Sequence, residues 1–170
     1  MKSQYDRLAR LFEYPGESYV ERCREAGLDE FASQMEKLSL SQIQEQFIAT
    51  FDWNPATALD LGWHLYGEQY ARGEFLVRVR EQLRRFGIPE SAELPDHITH
   101  ILPLLACMEP DDAMPFARDF VAPAVAKLVS ALDQKKTPFV LLMRAVREAL
   151  PVEVEVSPAK IELPVLQGNH

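Results

Sequence analysis

Histidines, carboxylates and thiols are the groups in this chain that could do chemistry, and their spacing limits what that chemistry would be. His97 and His100 lie three residues apart, so they can share one helical face, and Asp96 stands beside them. Zinc takes three or four protein ligands, and no further cysteine, histidine or carboxylate cluster has ligand spacing with this pair. The spacing therefore predicts a helix start, with Asp96 as its cap and two partly exposed histidines. Glu109, Asp111 and Asp112 form an acidic cluster without the glycine and spacing of a calcium loop, and read as a solvated turn. Cys23 and Cys107 stand far apart with no CxxC, which leaves neither a disulfide scaffold nor a zinc site. They read as reduced, half-buried thiols of a cytoplasmic protein. A GxSxG elbow, a P-loop, a GxGxxG after a strand and an HExxH pair are all missing, so the search for an enzyme's motifs comes up nearly empty.

Two segments concentrate unusual residues. The first is Thr50-Phe51-Asp52-Trp53-Asn54-Pro55, followed by Trp63-His64-Leu65-Tyr66-Gly67-Glu68 and then Arg72-Gly73. Aromatics, a histidine, acids, an arginine and two glycines crowd one helix end and the start of the next. Gly67 and Gly73 near helical sequence cost stability unless close packing requires them. The second is Glu93-Leu94-Pro95-Asp96-His97, a stiff hinge running into a helix. Core aromatics with helix breaks, and a plain cap turn, account for the same residues; a binding site is the competing reading.

The elements that must position these residues are helices. Leu40, Ile43, Phe47, Ile48 and Phe51 make one apolar stripe. Leu76, Val79, Leu83 and Phe86 make another, opposite Arg78, Glu81, Gln82 and Arg85, and Gly87 followed by Pro89 stops that helix. Val121, Val125, Leu128 and Leu132 form a third stripe. Phe139, Leu142, Val146 and Leu150 form a fourth, entered through Thr137-Pro138 as cap and first helical residue. Tyr5, Leu8, Leu11 and Phe12 predict a short first helix ending before Tyr14-Pro15-Gly16, and one or two helices follow between Ser18 and Lys37 with a break near Gly27. Ile98, Ile101, Leu102 and Leu105 predict a helix in which Pro103 makes a kink or a new start, and Pro123 raises the same question between Asp111 and Leu132. Strand-like alternation occurs at Val152 to Val156, within a proline-marked tail with nothing to pair against. The expectation is one all-α helical bundle over residues 1–150 and an extended or disordered tail over 151–170.

Size and charge agree with that outline. A chain of 170 residues can bury one sizeable core, and 47% hydrophobic with 26% charged residues is the balance of a globular protein. The net charge of −8 repels nucleic-acid phosphates and anionic lipid, and attracts a basic peptide. The charge is uneven: residues 69–86 hold five arginines and two glutamates, a local +3, so the remainder carries −11. Met1 to Leu11 has no apolar core of a secretory signal, and the longest uncharged apolar stretch, Ile98 to Met108, is too short to span a bilayer.

Read together, several stretches resemble the NarJ family of nitrate reductase assembly chaperones, within the wider class of redox-enzyme maturation chaperones that includes the TorD and DmsD families. Leu11-Phe12-Glu13-Tyr14-Pro15 is similar to the family's opening segment, and Gln46 to Asp52 to its aromatic-x-x-x-Phe-Asp helix end. Ala56-Thr57-Ala58-Leu59, His64-x-x-Gly67-Glu68 and Arg72-Gly73 resemble the signature that follows. Glu93 to His97 resembles the acidic-Pro-Asp-His hinge, and Asp119 to Lys136 the later helix with its Ala122-Pro123 pair. The chain departs from the family at Tyr66, where a histidine is usual, at Gln69-Tyr70, where Ser-Arg is usual, and in lacking a long acidic C-terminal extension. These departures bear on the client more than on the class.

The resemblance implies a helical, catalytically inert body. It would bind the N-terminal segment of an apo catalytic subunit of a respiratory molybdoenzyme and hold it ready for insertion of molybdopterin guanine dinucleotide and an Fe-S cluster, before docking to the membrane anchor. The cofactors belong to the client. Another molybdopterin oxidoreductase as client, a permanent structural subunit of a redox complex, and an enzyme acting on nucleotides are the alternatives. A cytoplasmic monomer or dimer without nucleic acid or membrane insertion is expected. On this reading Phe51, Leu65, Tyr66 and Leu94 floor an apolar groove, and Asp52, Glu68, Glu93 and Asp96 form an acidic rim. Arg72 pairs with Asp52 or Glu68, and His64 and His97 complete the site, with His97 able to make binding pH-dependent.

Overall fold

The computed structural model describes residues 3–152. The chain opens with α1 (Gln4–Arg10), capped by Ser3, whose hydroxyl takes the Asp6 amide at 3.1 Å while the Asp6 carboxylate takes the Ser3 amide. Helices α2 (Tyr19–Glu25) and α3 (Asp29–Glu36) follow, separated at Gly27, whose φ of +81° lets the Leu28 amide reach back to Cys23 O. Helix α4 (Leu40–Phe51) starts on a second capping box, Ser39 with Gln42. A 3-10 turn (Pro55–Thr57) leads to α5 (Leu61–Tyr66) and then α6 (Tyr70–Arg85). Helix α7 (Ile98–Cys107) comes next, then α8 (Pro110–Phe116), a π-helical segment (Ala117–Val121), α9 (Ala122–Lys135) and α10 (Phe139–Ala149). The fold is all-α.

The core gathers round α7, whose Ile98, Ile101, Leu102 and Leu104 are fully buried. Helix α1 packs on α7 and α10, α9 on α10, and α5 on α6 and α9. Phe12, Phe31, Phe47, Phe51 and Phe139 form an edge-to-face aromatic cluster, with Phe139 5.3 Å from both Phe31 and Phe51. The cluster joins helices far apart in sequence, and the Tyr5 hydroxyl donates to Ala149 O at 2.9 Å to tie α1 to the end of α10.

The four apolar stripes fall on α4, α6, α9 with the end of the π segment before it, and α10, some ending on the cap residue, and most of their side chains are buried. The prolines behave differently from one another. Helix α7 runs through Pro103 as one span, and no second helix begins there. At Pro123 the chain widens instead: the π segment ends with the Ala122 amide donating to Ala117 O, five residues back, so the helix continues past a residue that has no amide to give. Two local readings change. Glu109, Asp111 and Asp112 cap and begin α8 rather than forming a turn, where carboxylates favour the helix dipole. The cysteines are not alike: Cys23 is fully buried and burial pushes its thiol up to about 12, while Cys107 is exposed. The alternation at Val152 to Val156 lies outside the described residues after Val152, as does the rest of the tail. No helix among the described residues is long and apolar enough to cross a membrane.

The end of α6 shows how sharply one residue can set a boundary. Gly87 sits at φ +67°, the Ile88 amide bonds Leu83 O at 2.8 Å and the Gly87 amide bonds Arg84 O at 3.2 Å. The surrounding space is open, so any side chain is penalised through the backbone alone. Gly87→Ala should lower stability by about 1 kcal/mol in urea melts with an unchanged slope. Gly16→Ala, also in open space but without a positive φ, should change it by less than about 0.5 kcal/mol.

Candidate functional site

Asp96 has no exposed surface, and a carboxylate can be buried only against a cation or donors. Arg72, from the first turn of α6, supplies them in a fork, Nε to Oδ2 at 3.2 Å and Nη2 to Oδ1 at 3.3 Å. The backbone joins the same two segments. Leu61 N donates to Asp96 O and Ile98 N to Leu59 O, both at 2.9 Å, an isolated antiparallel bridge pairing Asp60 with His97. Gly62 lies against the Asp96 carboxylate and the Phe75 ring so closely that a Cβ there would collide with both. The hinge and the helix-break segment are thus one assembly.

That assembly borders two hollows that share Asp52. One, of about 440 Å³, lies among Phe12, Glu13, Tyr14, Asp52, Glu93 and His97. The other, of about 390 Å³, lies among Asp52, Trp53, Asp60, Trp63 and Arg72. The first has three carboxylates and no lysine or arginine in its walls. In the second, the charge of Arg72 is already met by Asp96. The carboxylates register this crowding. Asp60 is pushed up to about 6, first by burial and then by Asp96, against the pull of Arg72. Asp52 is raised by burial and by Glu93. His97 is held below the ordinary imidazole range by burial, partly offset by Glu93, and its Nδ1 takes the Thr99 amide at 3.3 Å and lies 2.8 Å from the Thr99 hydroxyl. His64 is likewise lowered by burial, its Nε2 2.6 Å from Ala58 O.

The structure gathers Asp52, Glu93, His97 and Arg72 along these hollows and separates the other expected site residues from them. Phe51 is only 3% exposed, within the aromatic cluster, and forms no groove floor. Asp96 is no rim residue, because its carboxylate is spent on Arg72 beneath the surface. For the same reason Arg72 pairs with neither Asp52 nor Glu68. The helix cap is His97 rather than Asp96, and both His97 and His100 are buried rather than partly exposed. His100 is enclosed by the hinge, its Nδ1 donating to Leu94 O at 2.8 Å and its Nε2 accepting the Ser91 amide at 3.0 Å. Tyr66 packs on Phe75 and borders a separate small hollow with Phe120. Leu65 is half-buried, Glu68 and Leu94 are exposed, and His64 binds the 55–58 turn; none of these four lines the two hollows.

Sequence reasoning passed over Glu13, Tyr14, Asp60 and Trp63 as wall residues. Glu13 and Tyr14 lay within a motif already singled out. Asp60 carried no signal, since its partners Asp96 and Arg72 come from other elements.

Two outcomes test this assembly. Asp96→Asn and Arg72→Met each leave one member of a buried pair uncompensated and should lower stability by about 3 kcal/mol in urea melts. The double variant should cost less than the sum. Asp60 keeps its proton up to about pH 6 in the fold but only to about 4 in the unfolded chain, so folding takes up a proton between those values and stability falls as pH rises through them. Asp60→Asn removes that contribution. Its stability relative to the parent should therefore rise from pH 4 to pH 7, and a flat difference would deny the raised carboxyl.

Residues 17–141 match the family described as the nitrate reductase delta subunit. Over 100 residues the chain is 34% identical to the nitrate reductase molybdenum cofactor assembly chaperone NarJ of Escherichia coli (strain K12), covering 58% of this chain and 42% of that protein. Over 146 residues it is 29% identical to NarW of the same strain, assigned as a nitrate reductase molybdenum cofactor assembly chaperone, covering 79% and 62%. The chain thus spans less than two thirds of either relative. A crystal structure of a protein assigned to redox enzyme maturation in Archaeoglobus fulgidus has the same fold, with a TM-score of 0.66 over 89% of this chain and 97% of that one at 19% identity. With the family match running over most of its length, the chain belongs to the nitrate reductase delta subunit family, the NarJ-like group its motifs resemble.

Proposed function

We propose that this chain is an assembly chaperone for the catalytic subunit of a respiratory molybdoenzyme of the nitrate reductase type. It binds the N-terminal segment of the apo subunit and keeps it competent for molybdenum cofactor and Fe-S insertion before membrane docking. The observation that carries this reading is the groove bordered by the exposed Tyr14, with Phe12 and His97 buried beneath it, and edged by Glu13, Asp52 and Glu93, without a lysine or arginine in its walls. An amphipathic basic helix fits such a surface, its apolar face on Tyr14 and its lysines and arginines toward the rim. Rim carboxylates set the encounter rate and salt sensitivity, and the apolar wall sets the residence time. The chain then does its work by binding alone, in the cytoplasm where the client is made.

The family description, a delta subunit, also fits a permanent structural component of the enzyme. A chaperone is absent from the purified mature enzyme, whereas a subunit is present in equal amount.

Titration calorimetry with a synthetic peptide of the client's first residues tests the site. Binding should weaken steeply with added salt, and Glu93→Lys should cost about tenfold or more in Kd at low salt while thermal stability is kept, because Glu93 is exposed. Parent-like affinity in both Glu93→Lys and Asp52→Lys would remove the groove from the mechanism.

A further inference from the structure

The second hollow has an unusual composition. The chain has two tryptophans, and both border it. Trp63 is fixed in place, its Nε1 donating to Pro55 O at 3.0 Å. Trp53, in contrast, projects from the loop after α4 with 75% of its surface exposed, the second most exposed of the large apolar side chains. An indole left in water contributes nothing to the core, and tryptophan is the residue type most enriched where partners bind. Asp52 and Asp60 line the same hollow, and neither carboxylate accepts a hydrogen bond among the described residues. The guanidinium of Arg72 borders the hollow but its fork is spent on Asp96. Two aromatic faces and two unmet carboxylates around a space of about 390 Å³ make a receptor for one organic cation.

We infer that the hollow between Trp53, Trp63, Asp52 and Asp60 seats the guanidinium of an arginine carried by the basic segment that lies in the neighbouring groove. The inference rests on the groove reading above, and Asp52, common to both hollows, is the point where the segment passes from one to the other. A planar guanidinium suits this seat better than an ammonium. It stacks on an indole while directing its edge donors to two carboxylates, whereas a compact, strongly hydrated ammonium cannot do both. A cation placed there also offsets the burial and the nearby Asp96 and Glu93 charges that raise Asp60. The seat gives the chaperone a register: an apolar stripe can slide along an apolar wall, but one arginine in one box fixes which turn of the client helix faces which part of the groove.

Both indoles lie at the seat, so the protein's own tryptophan emission reports on it. The probes are the client N-terminal peptide and versions in which each arginine in turn is replaced by citrulline, its neutral isostere, or by lysine. One citrulline peptide should bind about tenfold more weakly and lose the change in tryptophan emission. Trp53→Ala and Asp60→Asn should weaken the parent peptide by a similar factor and that citrulline peptide no further, while Trp53→Phe keeps most of the affinity. Since Trp53 is exposed, its variants should keep the parent's circular dichroism and melting temperature. Parent-like binding by every citrulline peptide, or losses that add independently in the cycle, would overturn the seat and leave the groove standing. Equal binding of the lysine version would overturn its assignment to a guanidinium. No binding of the parent peptide at all would overturn both the groove and the seat.

Discussion

A single buried carboxylate organises the functional end of this molecule. Asp96 is enclosed on all sides, and its charge requires the Arg72 fork. That fork holds the start of α6 against the hinge before α7. The Asp96 carbonyl meanwhile takes the Leu61 amide, so the same residue also fixes the entry to α5. Gly62 follows as a consequence, because the carboxylate occupies the space a Cβ would need. A buried ion pair is poor evidence for stability, since desolvation offsets much of the attraction. Its value here lies in position: side-chain fork and backbone bridge agree on one register for three segments that would otherwise be independent loops.

Drawing Arg72 inward has an electrostatic consequence for the surface. Of the carboxylates left around the hollows, Asp52 and Glu93 form no ion pair among the described residues, and Asp60 feels Arg72 only as a charge already paired with Asp96. Of the arginines of α6 beyond Arg72, Arg80 pairs with Glu90 and Arg85 lies over the Phe86 ring, and none lines either hollow. A raised Asp60 beside a raised Asp52 is therefore the cost of an acidic rim that, on the proposed reading, is kept free for a client segment. Perturbed carboxylates in a cleft mark functional sites in general, and here their cause is specific: burial in the same structure that hides Asp96.

The helical outline was legible because the apolar period is written into each segment. Gly27 and Gly87 supply two of the ends, and those signals are local, as is the Ser39–Gln42 capping box that sequence reasoning passed over. The same period also held information that a groove assignment for Phe51 overlooked. Phe51 continues the stripe of Ile43 and Phe47 at intervals of four, and a stripe that makes a helix amphipathic faces the core. The pairing of Asp96 with Arg72 was illegible for the opposite reason. The partners lie 24 residues apart on different elements, and no spacing rule connects them. A lone acid in a polar hinge reads as exposed, and its neighbours Glu93 and Leu94 are indeed exposed. The π segment before Pro123 was legible only as a question, since proline announces a missing donor but not whether the helix breaks or widens.

The contrast between Phe51 and Asp52 explains how a rigid body presents an adaptable rim. Phe51 closes α4 inside an aromatic cluster that includes Phe12 just after α1 and Phe139 at the start of α10, so the helix end cannot shift without disturbing both ends of the fold. The next residue, Asp52, is the first to leave that packing, and it carries its charge into water with Trp53 beyond it. The Thr57 hydroxyl bonding to Thr50 O and the Asn54 side chain accepting the Ala56 amide hold the intervening turn, so rim and indole project from a fixed base. On the proposed reading, a groove set this firmly in advance loses little freedom when a client segment enters, which leaves more of the contact energy as affinity. Selectivity then falls to the few exposed groups at its edge, where one charge reversal changes recognition without touching the fold beneath.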